Sequence, residues 1–199
     1  MPTSITEAKA ITSKLSDSIL LGAGIYAYNI VLDKQTGVVS DVGTILGCTS
    51  GGGKFAVKPN LKQLDIDQSH VARKGAYVKL GEEATIEPNL TEIKAEDVAS
   101  FVMGEAKDGT NAKVVTSLES VQEDHYYENF GFIGFTAAGK PVVILFDHSL
   151  CTSGLELNPK KSEQSTAGLV FICLADLDSG DNKLPYTIIW PTASEGGTD

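Results

Sequence analysis

Two segments rich in aromatic and aliphatic residues, 126–136 and 142–150, are joined by Ala137-Ala138-Gly139-Lys140-Pro141. Apolar runs on both sides of a short, Gly-containing connection predict an antiparallel hairpin. A lone hairpin is marginal in water, so the rest of the chain must supply strands beside it or layers over it. Segment 84–93 offers one such strand. Ala84, Ile86, Pro88 and Leu90 alternate with Thr85, Glu87, Asn89 and Thr91, which gives one apolar and one polar face. Pro88 suits an edge strand or a bulge.

Further strands are expected over 21–33, 38–47 with a break at 41–43, 76–80, 114–121, 155–158, 165–174 and 184–191. Gln35-Thr36-Gly37 reads as a turn. One helix is expected, over 95–103. Val98, Phe101 and Val102 have i, i+3, i+4 spacing, Glu96 and Asp97 favour the first turn, and Gly104 ends it. A helix this short must pack on a sheet to be stable. The fold class is therefore mainly β: an antiparallel β-sandwich or partly closed barrel with one short flanking α-helix. The length suits a single domain, 1–199, with an N-terminal arm at 1–17 and an acidic C-terminal tail at 192–199.

The stretch 46–67 stands apart. It runs from an apolar strand into Gly51-Gly52-Gly53 and out through an arm in which Phe55, Val57, Leu61, Leu64 and Ile66 sit among charged residues. Residues 48–75 read as a long loop hinged on the glycines, with no obvious local partner for these apolar side chains. Such side chains pack on the chain's own core or on another chain, and the latter makes this chain a building block whose loop docks on a neighbour.

The formal net charge of −10 argues against binding nucleic acid through its phosphates and against an anionic membrane surface. Cys48, Cys151 and Cys173 are too few, too far apart and odd in number for a disulfide framework. The most apolar run, 19–32, is too short for a membrane span and contains Asn29. Gly52-Gly53-Lys54 lacks the earlier glycine and the following Ser or Thr of a phosphate loop. His70, His125 and His148 have no ligand spacing, and Asp147, His148 and Cys151 form the nearest approach to a reactive cluster. No nucleophile elbow is present. The residues thus favour a structural or binding protein over an enzyme, with no cofactor or metal expected.

Several segments carry a likeness to a known family. They are Ser18-Ile19-Leu20-Leu21-Gly22-Ala23-Gly24-Ile25-Tyr26-Ala27-Tyr28-Asn29, the run from Thr49 through Phe55 to Leu64-Asp65-Ile66-Asp67, and Tyr127-Glu128-Asn129 with Phe132 and Gly134. The hairpin ending Ser149-Leu150, Ser153-Gly154-Leu155-Glu156-Leu157, and the ending Leu184-Pro185-Tyr186-Thr187-Ile188-Ile189-Trp190-Pro191 complete them. In this order the chain resembles the major tail protein of long-tailed bacteriophages, the tail tube subunit, whose fold also occurs in contractile tails and type VI secretion tubes. That resemblance implies a virion protein made in the host cytoplasm, forming hexameric rings that stack into a hollow tube for DNA ejection. It implies a tape measure protein inside the tube, tail terminator and distal tail proteins at the ends, and DNA that passes without specific binding. No membrane insertion by this chain is implied. In such a tube Phe55, Val57, Leu61, Leu64 and Ile66 are candidate inter-subunit contacts. Thr85, Glu87, Asn89 and Glu128 are candidates for the lumen. The residues leave open a β-sandwich binding module, such as a capsid-decorating or surface-recognition protein.

Overall fold

The computed structural model describes residues 20–65, 71–159, 165–180 and 183–191, with the backbone alone at 20–23. The expected terminal arms, 1–17 and 192–199, and Ile66 lie outside the described residues. The described part is mainly β, with one α-helix.

The predicted hairpin is its centre. Strands β9 (Tyr126–Thr136) and β10 (Pro141–Cys151) pair from Pro141↔Phe135 to Leu150↔Tyr126. Gly139 turns the chain between them at φ 76°, a left-handed conformation that costs glycine nothing. Both faces of this hairpin are apolar and both are covered. Phe130, Ile144 and Phe146 face an inner core with Phe171, Leu90 and Ile86. Ile133, Val143 and Leu145 face a second, outer core with Ala27 and Ile30. A small ribbon of β2 (Val31–Leu32) and β3 (Val39–Asp41) brings Leu32 and Val39 over that outer face.

The sheet grows from both sides of the hairpin. Strand β1 (Leu20–Tyr28) flanks β9, and the two-residue β4 (Thr44–Ile45) flanks the end of β1. On the other side β13 (Tyr186–Ile189) pairs with the first half of β10, and β12 (Phe171–Leu174) with the second. Strand β12 then pairs with β6 (Tyr77–Leu90), which also carries β11 (Ala167–Gly168) and β5 (Thr49–Gln63). The sheet curls until its two ends meet. Thr44 is paired with β1, and Thr49 is already paired with β6. Five peptide steps span at most about 18 Å, so the sheet edges are drawn together there. Leu46, between them, is fully buried in the inner core. The architecture is thus a single sheet curled into a partly closed barrel.

Helix α1 (Ala95–Phe101) plugs this barrel by inserting Phe101 against Tyr127 and Phe171, with ring centroids 6.4 and 6.2 Å away. The Lys94 ammonium donates to the Ile45 carbonyl and ties the helix start to β4. The buried residues are Asp97, Ala99 and Phe101, while Val102 is exposed, so the apolar stripe is narrower than its spacing predicts. Met103, not Gly104, adopts the left-handed conformation after the helix, at φ 52°. Gly104 instead opens β7 (Gly104–Asp108), which pairs with β8 (Lys113–Ser117). A Cβ at Gly104 would lie 2.6 Å from the Thr116 carbonyl oxygen, so glycine there answers close packing rather than helix termination.

The largest correction concerns 48–75. Most of it is not a loop: β5 runs for 15 residues against β6, which is itself continuous through 81–83. Low strand propensity of Gly, Lys, Asn and Pro hid the strand, and cross-strand pairing overrides that propensity. The glycines are a bulge rather than a hinge. Thr49 pairs with Leu90 and Gly53 with Pro88, so three residues oppose one, and Gly51 and Gly52 adopt φ of 77° and 79°. Pro88 thus lies beside a bulge, as expected. Three smaller differences remain. Segment 21–33 divides into β1 and β2, 165–174 divides into β11 and β12, and 155–158 forms no strand.

Candidate assembly surface

Beyond Val57↔Ala84 the β5–β6 pair runs past β12, still tied to the body where the Leu184 N–H donates to Glu82 Oε1 at 3.2 Å, and continues in register to Gln63↔Tyr77. Six further residues at about 3.4 Å each make an arm about 20 Å long. Leu61, Leu64, Val71, Tyr77, Val78 and Leu80 are all exposed on it, Leu80 at 60 %. Leu80 is the extra residue of a second irregularity, where Asn60 pairs with Gly81 and Leu61 with Lys79. Cross-strand alternation puts Leu61 and Tyr77 on one face and Val78 on the other, so the arm is apolar on both faces. The Tyr77 hydroxyl donates to Gln63 Oε1 at 3.2 Å, which fastens the pair near the arm's outer end. An isolated two-stranded ribbon is marginally stable in water, and one with exposed apolar groups on both faces gains from a covering layer.

The five expected contact residues divide. Phe55 and Val57 are half-buried against the inner core, and Phe55 lies 6.2 Å from Phe146. They have a local partner, contrary to the reading of the segment as a detached loop, because strand pairing carries them back over the barrel. Leu61 and Leu64 are exposed on the arm, and Ile66 lies outside the described residues. The exposed apolar residues contributed by β6 escaped sequence reasoning. Val78 and Leu80 look like core positions of an ordinary strand until the register shows that they lie past the barrel's end.

Strand β5 is also an edge. Among the described residues it pairs with β6 alone, leaving its other row of N–H and C=O groups open. Lys54, Lys58, Lys62 and Pro59 interrupt that edge, the kind of residue that limits indiscriminate strand addition.

The proposed lumen residues do not form one wet face. Thr85, Glu87 and Asn89 do share the outer face of β6, as their alternation requires. Thr85 is nevertheless buried, and its hydroxyl lies 3.4 Å from Glu87 Oε1. The Glu87 carboxylate is paired with the Lys54 ammonium at 2.6 Å, so this face carries little net charge. Asn89 donates to the Gly52 carbonyl at 3.1 Å and pins the glycine bulge. Glu128 is on β9, three strands away in the sheet order, and meets His148 Nδ1 at 2.9 Å.

Glu128 belongs instead to a groove with Glu123, Tyr126, His148, Asp176 and Leu177. Its rim is acidic and its apolar wall is open to water: Leu177 is 98 % exposed. Nearby, His125 is buried and holds structure. Its Nδ1 accepts from the Gln122 N–H and its Nε2 faces the Gly104 carbonyl at 2.9 Å. That pair of bonds fixes the 3-10 turn Glu123–His125 against β7.

The thiols of Cys151 and Cys173 are buried, and burial pushes both up, Cys173 to about 12, away from thiolate chemistry. Among the described residues no group of three or more His, Cys, Asp or Glu is placed to hold a metal ion. No helix among them is long and apolar enough to cross a membrane. Comparison with protein-family models finds no match, and comparison with curated proteins finds no matching relative.

Proposed function

We propose that this chain is a self-assembling structural subunit, and that its assembly is a phage tail tube of stacked hexameric rings through which DNA passes. The observation that carries the reading is the arm formed by 58–63 paired with 77–83: apolar side chains on both faces, and no covering layer among the described residues. Arms of this kind are stabilised by burial on another copy. The open edge of β5 adds a second self-complementary feature, since strand edges brought together across subunits satisfy each other's backbone groups. The role is structural and non-catalytic. The resemblance of the chain to tail tube subunits supplies the particular assembly.

Negative-stain electron microscopy of the purified chain tests the proposal. Rings with a central channel and sixfold symmetry, alone or stacked into tubes, are the expected result. A population of compact particles without a channel, at every protein concentration, would refute it and favour a discrete binding module.

A further inference from the structure

The chain separates its charge. Residues 58–83 hold five basic side chains (Lys58, Lys62, Arg73, Lys74, Lys79) and four acidic ones (Asp65, Asp67, Glu82, Glu83), a formal +1, with Lys58 opposite Glu83 and Lys79 paired with Glu82. The whole chain carries −10, so the remainder carries −11. Lys58, Lys62 and Lys74 are exposed on the arm beside exposed Leu61, Leu64, Tyr77 and Leu80. The groove on the barrel has the opposite character. Glu123, Glu128 and Asp176 rim it, and Tyr126 and Leu177 present exposed apolar surface within it.

We infer that this groove is the docking site for the arm of a second copy of the chain. The arm's lysines would meet the carboxylates of Glu123, Glu128 and Asp176, and its exposed leucines and Tyr77 would cover Tyr126 and Leu177. Two observations select this occupant, and the geometry of the resulting contact suits assembly. The charges are complementary, which steers encounter and rejects like-charged surfaces. The apolar groups of both partners are exposed, so the arm does not cover the groove of its own subunit. The contact is between two different patches, and such head-to-tail contacts propagate into closed rings or open filaments. The inference rests on the reading of the chain as a self-assembling subunit and names the surfaces that join.

The test is a charge exchange in full-length chains. One variant reverses the arm (Lys58→Glu with Lys62→Glu), and the other reverses the groove (Glu123→Lys with Glu128→Lys). Circular dichroism establishes that both fold. Sedimentation velocity then reads self-association of the unmodified chain, of each variant alone and of their equimolar mixture. The unmodified chain should associate, and more weakly as salt rises, because screening shortens the reach of exposed charges. Each variant alone should associate at least about tenfold more weakly, since two attractions become repulsions. The mixture should recover association, because each arm then finds a groove of opposite sign. Variants that associate as well as the unmodified chain, or a mixture that stays apart, would overturn the inference. An unmodified chain that remains monomeric would overturn it together with the self-assembly reading. Recovery in the mixture without rings or tubes in the microscope would uphold the docking site and refute the tube.

Discussion

Asp97→Asn is expected to stabilise the protein at neutral pH and not at acid pH. Asp97 is the third residue of α1, yet it points inward and is 4 % exposed. Its Oδ2 has no hydrogen-bond partner, and neither has the buried Tyr127 hydroxyl. Burial is the largest influence and raises the Asp97 carboxyl above the ordinary aspartate range, while the Tyr28 hydroxyl and the Lys94 charge offset part of that rise. The folded state therefore holds its proton more tightly than the unfolded chain. Below the unfolded value, about 4, both states are protonated and no penalty exists. As pH rises from there through the raised folded value, the fold loses stability, and above it the loss is complete. Asn removes the ionisation and brings an amide that can donate towards the Tyr127 hydroxyl. An unsatisfied buried acceptor costs about 1–3 kcal/mol. Replacing the carboxylate also removes its favourable place near the helix N-terminus, about 0.3–1 kcal/mol. The net gain at pH 7 is then about 1 kcal/mol, or roughly 2–4 °C in Tm for a chain of this size. Urea unfolding of parent and variant between pH 3.5 and 8 measures it. The gap should open upward from about pH 4. A gap that is constant across this range, or an Asn variant less stable than the parent at pH 7, would refute the reasoning.

Two further substitutions probe the core and the seam. Phe101→Ala removes the ring that α1 inserts between Tyr127 and Phe171 and should cost about 3–5 kcal/mol, read as a lower urea midpoint of the isolated subunit. A stable, folded Phe101→Ala subunit would show that α1 does not plug the barrel. Gly53→Ala places a Cβ 1.9 Å from the Tyr26 hydroxyl oxygen and 2.9 Å from the Glu87 carbonyl, so it should destabilise by about 1–3 kcal/mol, with partial recovery on adding Tyr26→Phe. Gly52→Ala meets no atom within 4 Å but sits at φ 79°, so its cost is backbone strain of roughly 1–2 kcal/mol that Tyr26→Phe leaves unchanged.

The contrast between Gly53 and Gly52 also shows where sequence reasoning reached its limit. Hairpin β9–β10 was legible because its residues have strand propensity and its turn is local. The break in 38–47 was legible because Asp41 and Gly43 are poor strand formers. Strand β5 was not legible, because nothing in Gly51-Gly52-Gly53-Lys54 or Lys58-Pro59-Asn60 favours a strand. It is paired because β6, whose alternation was visible, presents an edge along its whole length. Asp97 was misplaced for a related reason. An acidic residue in a first helical turn has a sufficient local explanation in the helix dipole, and only the tertiary position of Tyr28 and Tyr127 shows that it is buried. The candidate surface inherits the same division. Leu61 and Leu64 were found because they look stranded among charges, whereas Val78 and Leu80 were missed because they look at home in a strand. What makes them candidates is the distance that β5 and β6 run past the barrel. That overrun is a difference between two lengths, the hairpin's and the sheet's, and a single segment of sequence encodes only one of them.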